Sequence, residues 1–133
     1  RCLVYDGTYV YIIKEVGKNY NIPGGKPEGP ETWQQTARRE VFEEITLQIE
    51  QPELLGASQV YFKNNPTKSQ GEHFFQLYTI AKLKEELPLQ PDPDTNELNQ
   101  RKKIPVEELS KYIHWITRDG MDKELIKAVR GKK

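Results

Sequence analysis

Segments of apolar, β-branched and aromatic residues predict four strands in the first two thirds of the chain. Residues 3–5 and 8–14 are apolar segments joined by an Asp-Gly pair, which predicts a β-hairpin because Asp-Gly favours a tight turn. Residues 54–63 and 72–83 are rich in β-branched and aromatic side chains and predict two further strands, with a polar turn at 64–71. The second strand is largely apolar, which is typical of a central strand buried on both faces.

Three segments carry helical patterns. Residues 32–44 contain no Gly or Pro, and Thr32 with Gln35 three positions later matches a capping box, so we expect a helix to begin there. Residues 105–112 and 121–130 predict two more helices, and the second has basic residues in its last turn before a glycine.

The segments between these elements predict loops. Residues 17–29 are rich in Gly, Pro and Asn, and residues 88–99 form a longer, proline-containing loop of the kind that often carries function. Residues 103–104 predict a short strand. Strands that alternate with helices indicate an α/β fold with layers packed on a mixed sheet, and the length fits one domain over residues 1–133.

Composition narrows the class of protein. Lys plus Arg and Asp plus Glu each number 20, so the net charge is zero and gives no general attraction to nucleic acid or membranes. No apolar run approaches the ~18 residues of a membrane span. Cys2 is the single cysteine, so no internal disulfide forms, and we expect a buried Cys2 in a cytoplasmic protein. The chain begins almost directly in a strand without a signal segment, and we expect a trimmed start.

Three glutamates in the 32–44 segment are the first indication of chemistry. Because a helix advances about 100° per residue, Glu40, Glu43 and Glu44 fall on one arc, where their charges repel. A divalent cation would turn that repulsion into coordination, and clustered carboxylates suit Mg²⁺. The alternative is a solvated acidic face, which the helix alone does not exclude.

The preceding loop favours the metal site. The paired glycines Gly24 and Gly25 allow the backbone to approach a metal or a phosphate closely. Glu31 lies just before the helix cap, and Arg39 keeps its charge and forms forked bonds to carboxylates or phosphates.

Together these residues resemble the Nudix box, Gly-x5-Glu-x7-Arg-Glu-U-x-Glu-Glu-x-Gly-U, in which U is a bulky aliphatic residue. The chain matches it at Gly25, Glu31, Arg39, Glu40, Val41, Glu43, Glu44 and Leu47. Thr46 stands where the pattern has Gly, which bears on how the helix ends, because Gly most easily adopts the left-handed conformation. A looser departure is the Gly29-Pro30 pair before Glu31.

The resemblance implies a fold, an activity and a ligand set. The fold would be a Nudix-type α/β/α sandwich with a central mixed β-sheet, and the activity would be Mg²⁺-dependent hydrolysis of a pyrophosphate bond in a nucleoside diphosphate derivative, with Mn²⁺ able to replace Mg²⁺. The implied metal ligands are Glu40, Glu43, Glu44 and the Gly24 carbonyl. Arg39 would pair with Glu31 or Glu43 and hold the loop against the helix.

The resemblance leaves the general base open between a glutamate of the box, Glu43 or Glu44, and one from a later loop. Glu97 in the 88–99 loop is the candidate there, and Glu72 is a weaker one. Arg39 completes the catalytic set that we expect. The residues expected to contact substrate are Tyr20, Gly25, Lys26, Glu31 and Tyr61, of which the two tyrosines could stack on a nucleobase.

Small single-domain relatives favour a nucleoside triphosphate as substrate, giving a nucleoside monophosphate and pyrophosphate. Dinucleoside polyphosphates and ADP-ribose or nucleotide sugars remain alternatives. A non-catalytic nucleotide-binding module is disfavoured because all box glutamates are present. A protein-interaction domain with an incidental acidic helix would show no effect of Mg²⁺ on stability. We expect a small nucleotide as partner, neither nucleic acid nor membrane, and a monomer or homodimer.

Overall fold

A computed structural model describes residues 1–61 and 73–132 of the chain. The predicted turn at 64–71, Glu72 and the end of the predicted 54–63 strand lie outside the described residues. The strands of the described part are β1 (Cys2–Asp6), β2 (Tyr9–Lys14), β3 (Tyr20–Asn21), β4 (Leu47–Ile49), β5 (Glu53–Tyr61), β6 (His73–Glu86) and β7 (Gln100–Pro105).

These strands form one mixed sheet. Its central path runs β3-β2-β1-β6-β4, while β5 pairs with β6 and β7 pairs with β2. Strand β1 runs parallel to β6, with Leu3 opposite Ile80, and antiparallel to β2. Strand β6 is therefore central, as its apolar composition predicts, and Tyr78–Ala81 are buried at four successive positions.

Helices cover both faces of the sheet. Because successive side chains of a strand point to opposite faces, Cys2 and Val4 of β1 pack in one core cluster and Leu3 in the other. Helix α1 (Trp33–Ile45) completes the first cluster, and helices α2 (Leu109–Tyr112) and α3 (Met121–Arg130) complete the second. The predicted α/β/α sandwich is confirmed, and so is the burial of Cys2.

Local sequence patterns predicted the hairpin, α1 and α3 to within one residue. The hairpin is confirmed, with Tyr5 opposite Val10 and Asp6 opposite Tyr9, so the turn lies one residue later than predicted. Helix α3 has the predicted bounds, and α1 differs from its prediction by one residue at each end. Among the helices of the described part, none combines the length and apolar composition needed to cross a bilayer.

Other elements differ from the prediction for physical reasons. The predicted 17–29 loop contains β3 and the segment after α1 contains β4, and such two- and three-residue strands are too short to show a period. The short strand predicted at 103–104 is the longer β7, which pairs along all of β2. The predicted 105–112 helix consists of a 3-10 turn (Val106–Glu108) followed by α2.

Candidate active site

Helix α1 begins with the capping box that the sequence predicts. The Thr32 hydroxyl accepts from the Gln35 amide at 3.2 Å, and the Gln35 side-chain oxygen accepts from the Thr32 amide at 2.9 Å. The helix ends at Thr46, whose φ of 53° and ψ of 49° are left-handed. The Thr46 departure from the box therefore occupies the conformation for which glycine is favoured.

The three glutamates of α1 lie at the edge of the core. Glu44 is the most deeply placed, with 7% of its surface exposed, while the side chains of Glu40 and Glu43 are 12% and 21% exposed. Carboxylates at this depth lose much of their hydration, so each needs a compensating partner.

Arg39 supplies most of that compensation. Its guanidinium donates to both oxygens of Glu31, at 2.7 and 3.1 Å, in the forked geometry that suits a carboxylate. It also donates to Glu40 at 2.8 Å and Glu43 at 3.2 Å, and to the carbonyl of Lys26 at 3.0 Å. Arg39 thus connects Glu31 with the loop that contains Gly24, Gly25 and Lys26, called the glycine loop below. It also connects both with the acidic arc of α1, which consists of Glu40, Glu43 and Glu44.

The glycine loop lies directly against the acidic residues. The Gly24 amide donates to the Glu44 carboxylate at 3.1 Å. A Cβ atom at Gly25 would lie closer than 3.0 Å to both oxygens of Glu40, and one at Gly24 would collide with the backbone of Arg1. Gly25 is therefore required by the close approach of its backbone to the Glu40 carboxylate, and Gly24 by its close approach to the backbone of Arg1.

The pKa values of the carboxyl groups in the site are shifted in opposite directions. Burial raises the pKa of Glu44 to about 8, with the charge of Glu40 adding to the effect and the Gly24 amide opposing it. Burial likewise raises the pKa of Glu40 and of Glu43, while Arg39 opposes the shift in both. The pKa of Glu31 is lowered to about 2 because Arg39 and the Glu28 amide bind its charged form. Carboxyl groups with strongly shifted pKa values, such as Glu44, are typical of functional sites.

The 88–99 loop adds two carboxylates that the sequence analysis did not identify. Carboxylate oxygens of Glu43, Asp92 and Asp94 lie within 4.8 Å of one another. Among residues 1–61 and 73–132, this is the group of three acidic side chains that could hold a metal ion, and it contains one of the three helix glutamates. Asp92 is 8% exposed and accepts from the Asp94 amide at 2.8 Å. The signal in the sequence was the Asp-Pro-Asp triplet of this loop. Glu97, the residue chosen from the loop, is exposed and is not in this group.

The predicted substrate contacts lie at different places. Tyr20 is half-buried, packs edge to face against Tyr112 with ring centroids 5.4 Å apart, and donates to Gln100. Lys26 and Gly25 are exposed in the loop beside α1, close to the acidic arc. Tyr61 ends β5, and its side chain lies outside the described residues.

The donor set fits a hard divalent cation. Carboxylate oxygens of Glu43, Asp92 and Asp94 lie within 4.8 Å of one another. The Glu40 carboxylate occupies the space that a side chain at Gly25 would fill. Oxygen donors of this kind suit Mg²⁺ and Mn²⁺.

Comparison with known proteins identifies the family of the chain. The family model of the NUDIX domain matches residues 1–125 of the chain, which includes α1, the glycine loop and the 88–99 loop. No curated protein matches the chain by sequence.

Several solved structures share the fold. A mutant of the Bacillus subtilis pyrophosphohydrolase BsRppH has a TM-score of 0.72 at 18% identity, over 98% of this chain and 80% of that one. A mutator MutT protein from Bacillus halodurans has a TM-score of 0.67 at 21% identity, over 96% and 78%. An ADP-ribose pyrophosphatase from Streptococcus suis has a TM-score of 0.70 at 16% identity, over 100% and 91%. The family match over nearly the whole chain shows that the chain belongs to the Nudix family, and these structures share its fold.

Proposed function

We propose that the chain hydrolyses a nucleoside triphosphate to a nucleoside monophosphate and pyrophosphate with the help of Mg²⁺, which Mn²⁺ can replace. The observation that carries the proposal is the packing of the glycine loop onto the acidic arc. Gly24 donates to Glu44, and Gly25 leaves room for nothing but hydrogen beside Glu40. A helix whose carboxylates served only solubility would not need that approach.

The cation would be held by carboxylates from two elements. Glu40, Glu43, Glu44 and the Gly24 carbonyl are the ligands that we propose from the glycine loop and α1, and Asp92 and Asp94 face Glu43 from the 88–99 loop. When bound, such an ion reduces the negative charge of the pyrophosphate, orients it and makes water more acidic.

Residues of the chain set the geometry for the reaction. Arg39 binds Glu31, Glu40 and Glu43 together, so we assign it as a positioning residue that keeps the arc in place. The Gly24 amide fixes one oxygen of Glu44 and leaves the other available. Preorganised groups of this kind supply much of the rate enhancement in phosphoryl transfer, because they need no rearrangement as the reaction proceeds.

In the reaction, the oxygen of water forms a bond to one phosphorus atom, and the bond from that phosphorus to the bridging oxygen breaks. The bridging oxygen leaves on pyrophosphate, and the proton of the attacking water passes to a carboxylate and then to solvent. Glu43 or Glu44 is the base that we propose, and a cation bound beside Glu44 would favour the ionised form that can accept a proton. Glu97 is exposed and outside the acidic group, so we place it second.

Substrate contacts are proposed in the loop beside α1 and at two tyrosines. Gly25 and Lys26 lie in the loop next to α1, where backbone amides and an ammonium group can meet phosphate oxygens. Glu31 contributes through Arg39. Tyr20 and Tyr61 are the aromatic residues proposed to stack on the base, and Tyr20 already presents an edge-to-face partner, Tyr112.

A substrate screen with Mg²⁺ tests the proposal. The panel contains the common and the oxidised nucleoside triphosphates, dinucleoside polyphosphates, ADP-ribose and UDP-linked sugars, because similar folds include an ADP-ribose pyrophosphatase and a UDP-X diphosphatase. Phosphate released after coupling to pyrophosphatase or phosphatase reports cleavage. We expect the highest kcat/KM on a nucleoside triphosphate, and a preference for ADP-ribose or a dinucleoside polyphosphate would overturn this substrate class.

A melting experiment separates the enzyme from a protein-interaction domain. Millimolar Mg²⁺ should raise the melting temperature of the wild type, because a ligand that binds only the native state stabilises it. Glu43→Gln should reduce the shift, and no shift in the wild type would contradict a metal site. A wild type that binds Mg²⁺ and nucleotides without cutting them would instead be a binding module.

The cellular compartment and the oligomeric state of the protein are also part of the proposal. Cys2 is the single cysteine and is buried in β1, so the fold does not depend on a disulfide, and we propose the reducing cytoplasm as its compartment. We propose a monomer or homodimer, which sedimentation at micromolar concentration distinguishes.

A further inference from the structure

The 88–99 loop is fastened at its start to the residue that ends α1. The Thr46 hydroxyl accepts a hydrogen bond from the Gln90 amide at 3.0 Å, and the Thr46 carbonyl accepts from the Leu87 amide at 3.3 Å. Thr46 is buried, with 4% of its surface exposed, so its hydroxyl has little access to water as an alternative partner. The residue that departs from the Nudix box is therefore also the residue that receives the loop.

The end of the same loop returns to the last turn of α1. The Asn99 side chain is buried and donates to the Glu44 carbonyl at 3.0 Å. Arg101 donates at 2.8 Å to the Ile45 carbonyl and at 2.8 Å to the Leu87 carbonyl. The last carbonyls of a helix have no partner within it, so α1 offers free acceptors to both Asn99 and Arg101.

A loop held at both ends on one helical turn has a restricted path. Asp92 and Asp94 lie between the two attachment points, and their carboxylates lie within 4.8 Å of Glu43. Asp92 is further fixed because its own amide donates to the Glu97 carbonyl at 2.9 Å. The distance of the loop carboxylates from the catalytic helix is thus set at the end of that helix.

The left-handed backbone conformation of Thr46 is energetically unfavourable for a threonine. A β-branched side chain at φ 53° is strained, whereas Gly is not. Gly at this position would end the helix with less strain but would provide no hydroxyl for Gln90. The hydrogen bond from Gln90 to the hydroxyl gives a reason for a strained threonine at this position.

We propose that Thr46 is a positioning residue whose hydroxyl holds the 88–99 loop against α1, so that Asp92 and Asp94 take part with Glu43 in binding the divalent cation. This inference rests on the proposed function, because it assigns the loop carboxylates to the same metal site. It predicts that metal affinity depends on an atom that does not touch the metal.

The test measures Mn²⁺ binding to the full chain by electron paramagnetic resonance, without substrate. Thr46→Gly and Thr46→Val both remove the hydroxyl, the first with relief of strain and the second with the branched shape retained. Each should weaken Mn²⁺ binding about fivefold or more, the effect expected from one lost hydrogen bond. Thr46→Ser keeps the hydroxyl and should bind within about twofold of the wild type. Wild-type affinity in Thr46→Gly would overturn the inference.

Two further variants cover the case in which a Thr46 variant folds poorly. Gln90→Pro removes the N–H donor from the loop side and leaves α1 untouched, and it should weaken Mn²⁺ binding to the same extent. Gln90→Ala keeps the N–H and serves as its control. Asp94→Asn should also weaken binding, and adding Thr46→Gly to Asp94→Asn should cost less than it does alone, because the two act through one contact. Full additivity would contradict the proposal.

The outcomes separate this inference from the proposed function. Hydrolysis by the wild type together with unchanged Mn²⁺ affinity in Thr46→Gly and Gln90→Pro would reject the inference alone. Absence of hydrolysis on every substrate, with Mn²⁺ affinity that depends on Thr46 and Asp94, would reject the proposed function and retain the loop contact.

Discussion

Gly25 and Glu40 are so close that a Cβ atom on Gly25 would lie less than 3.0 Å from both oxygens of the Glu40 carboxylate. Gly25 does not have the positive φ that would by itself require glycine. The requirement for glycine therefore comes from the carboxylate of α1 and not from the backbone of the loop.

Gly25→Ala should accordingly impair the site while leaving the fold intact. The added methyl group would displace Glu40 or move the loop away from α1, and displacement of a catalytic group by about 1 Å can cost about 10²-fold in rate. We expect kcat/KM to fall at least about tenfold, allowing for partial relaxation of the exposed loop. Gly56→Ala is the matched control, because among the described residues no heavy atom beyond its chain neighbours lies within 4 Å of the added Cβ. Gly25→Ala with wild-type kcat/KM would show that Glu40 does not need its present position.

Arg39→Lys tests whether the arc depends on a forked donor or only on a positive charge. A lysine keeps the charge but cannot bind both oxygens of Glu31 while also reaching Glu40 and Glu43. The network is partly buried, so we expect a loss of about 1–3 kcal/mol in the free energy of unfolding, together with lower kcat. Urea denaturation and steady-state kinetics measure the two effects. Arg38→Lys, on the same helix but outside the network, should leave kcat unchanged; its guanidinium donates to the Ile49 carbonyl and to Gln51, so it is a control for kcat and not for stability.

Glu43→Gln and Glu97→Gln distinguish the two sources of the general base. Loss of a positioned base or ligand should lower turnover by at least about 10²-fold in Glu43→Gln, and Glu44→Gln should behave similarly. Glu97 is exposed and outside the acidic group, so Glu97→Gln should retain turnover within about threefold of the wild type, less than a positioned base contributes. The reverse pattern would move the base from the helix to the 88–99 loop.

The features that could be predicted from the sequence are those set by neighbours in the chain. The capping box at Thr32 and Gln35 fixes where α1 begins, and the spacing of Glu40, Glu43 and Glu44 fixes their common arc. These relationships depend on helical geometry alone. The box also located the glycine loop, because its pattern spans loop and helix together.

The features that could not be predicted depend on the path of the chain between distant residues. Asp92 and Asp94 reach Glu43 because Gln90 binds Thr46 and Asn99 binds the Glu44 carbonyl, contacts that join residues about forty to fifty-five positions apart. Glu97 of the same loop is exposed and lies outside this acidic group, so its role stays a prediction. The sequence identified the loop, but only the fold showed which carboxylates face the helix.

The raised pKa of Glu44 predicts a pH dependence of stability that can be measured without metal. Its pKa rises from an ordinary value of 4.5 to about 8 in the native state, mainly because of burial. The native state therefore binds an extra proton between these values, so this contribution to stability is complete below pH 4.5 and is lost as pH rises through about 8. In EDTA, the free energy of unfolding of the wild type, measured with urea, should fall from pH 5 to pH 8 relative to Glu44→Gln, whose amide does not titrate. Glu97→Gln, which changes an exposed carboxylate, should follow the wild type, and equal pH slopes for the wild type and Glu44→Gln would mean that Glu44 is ionised in the native state throughout this range.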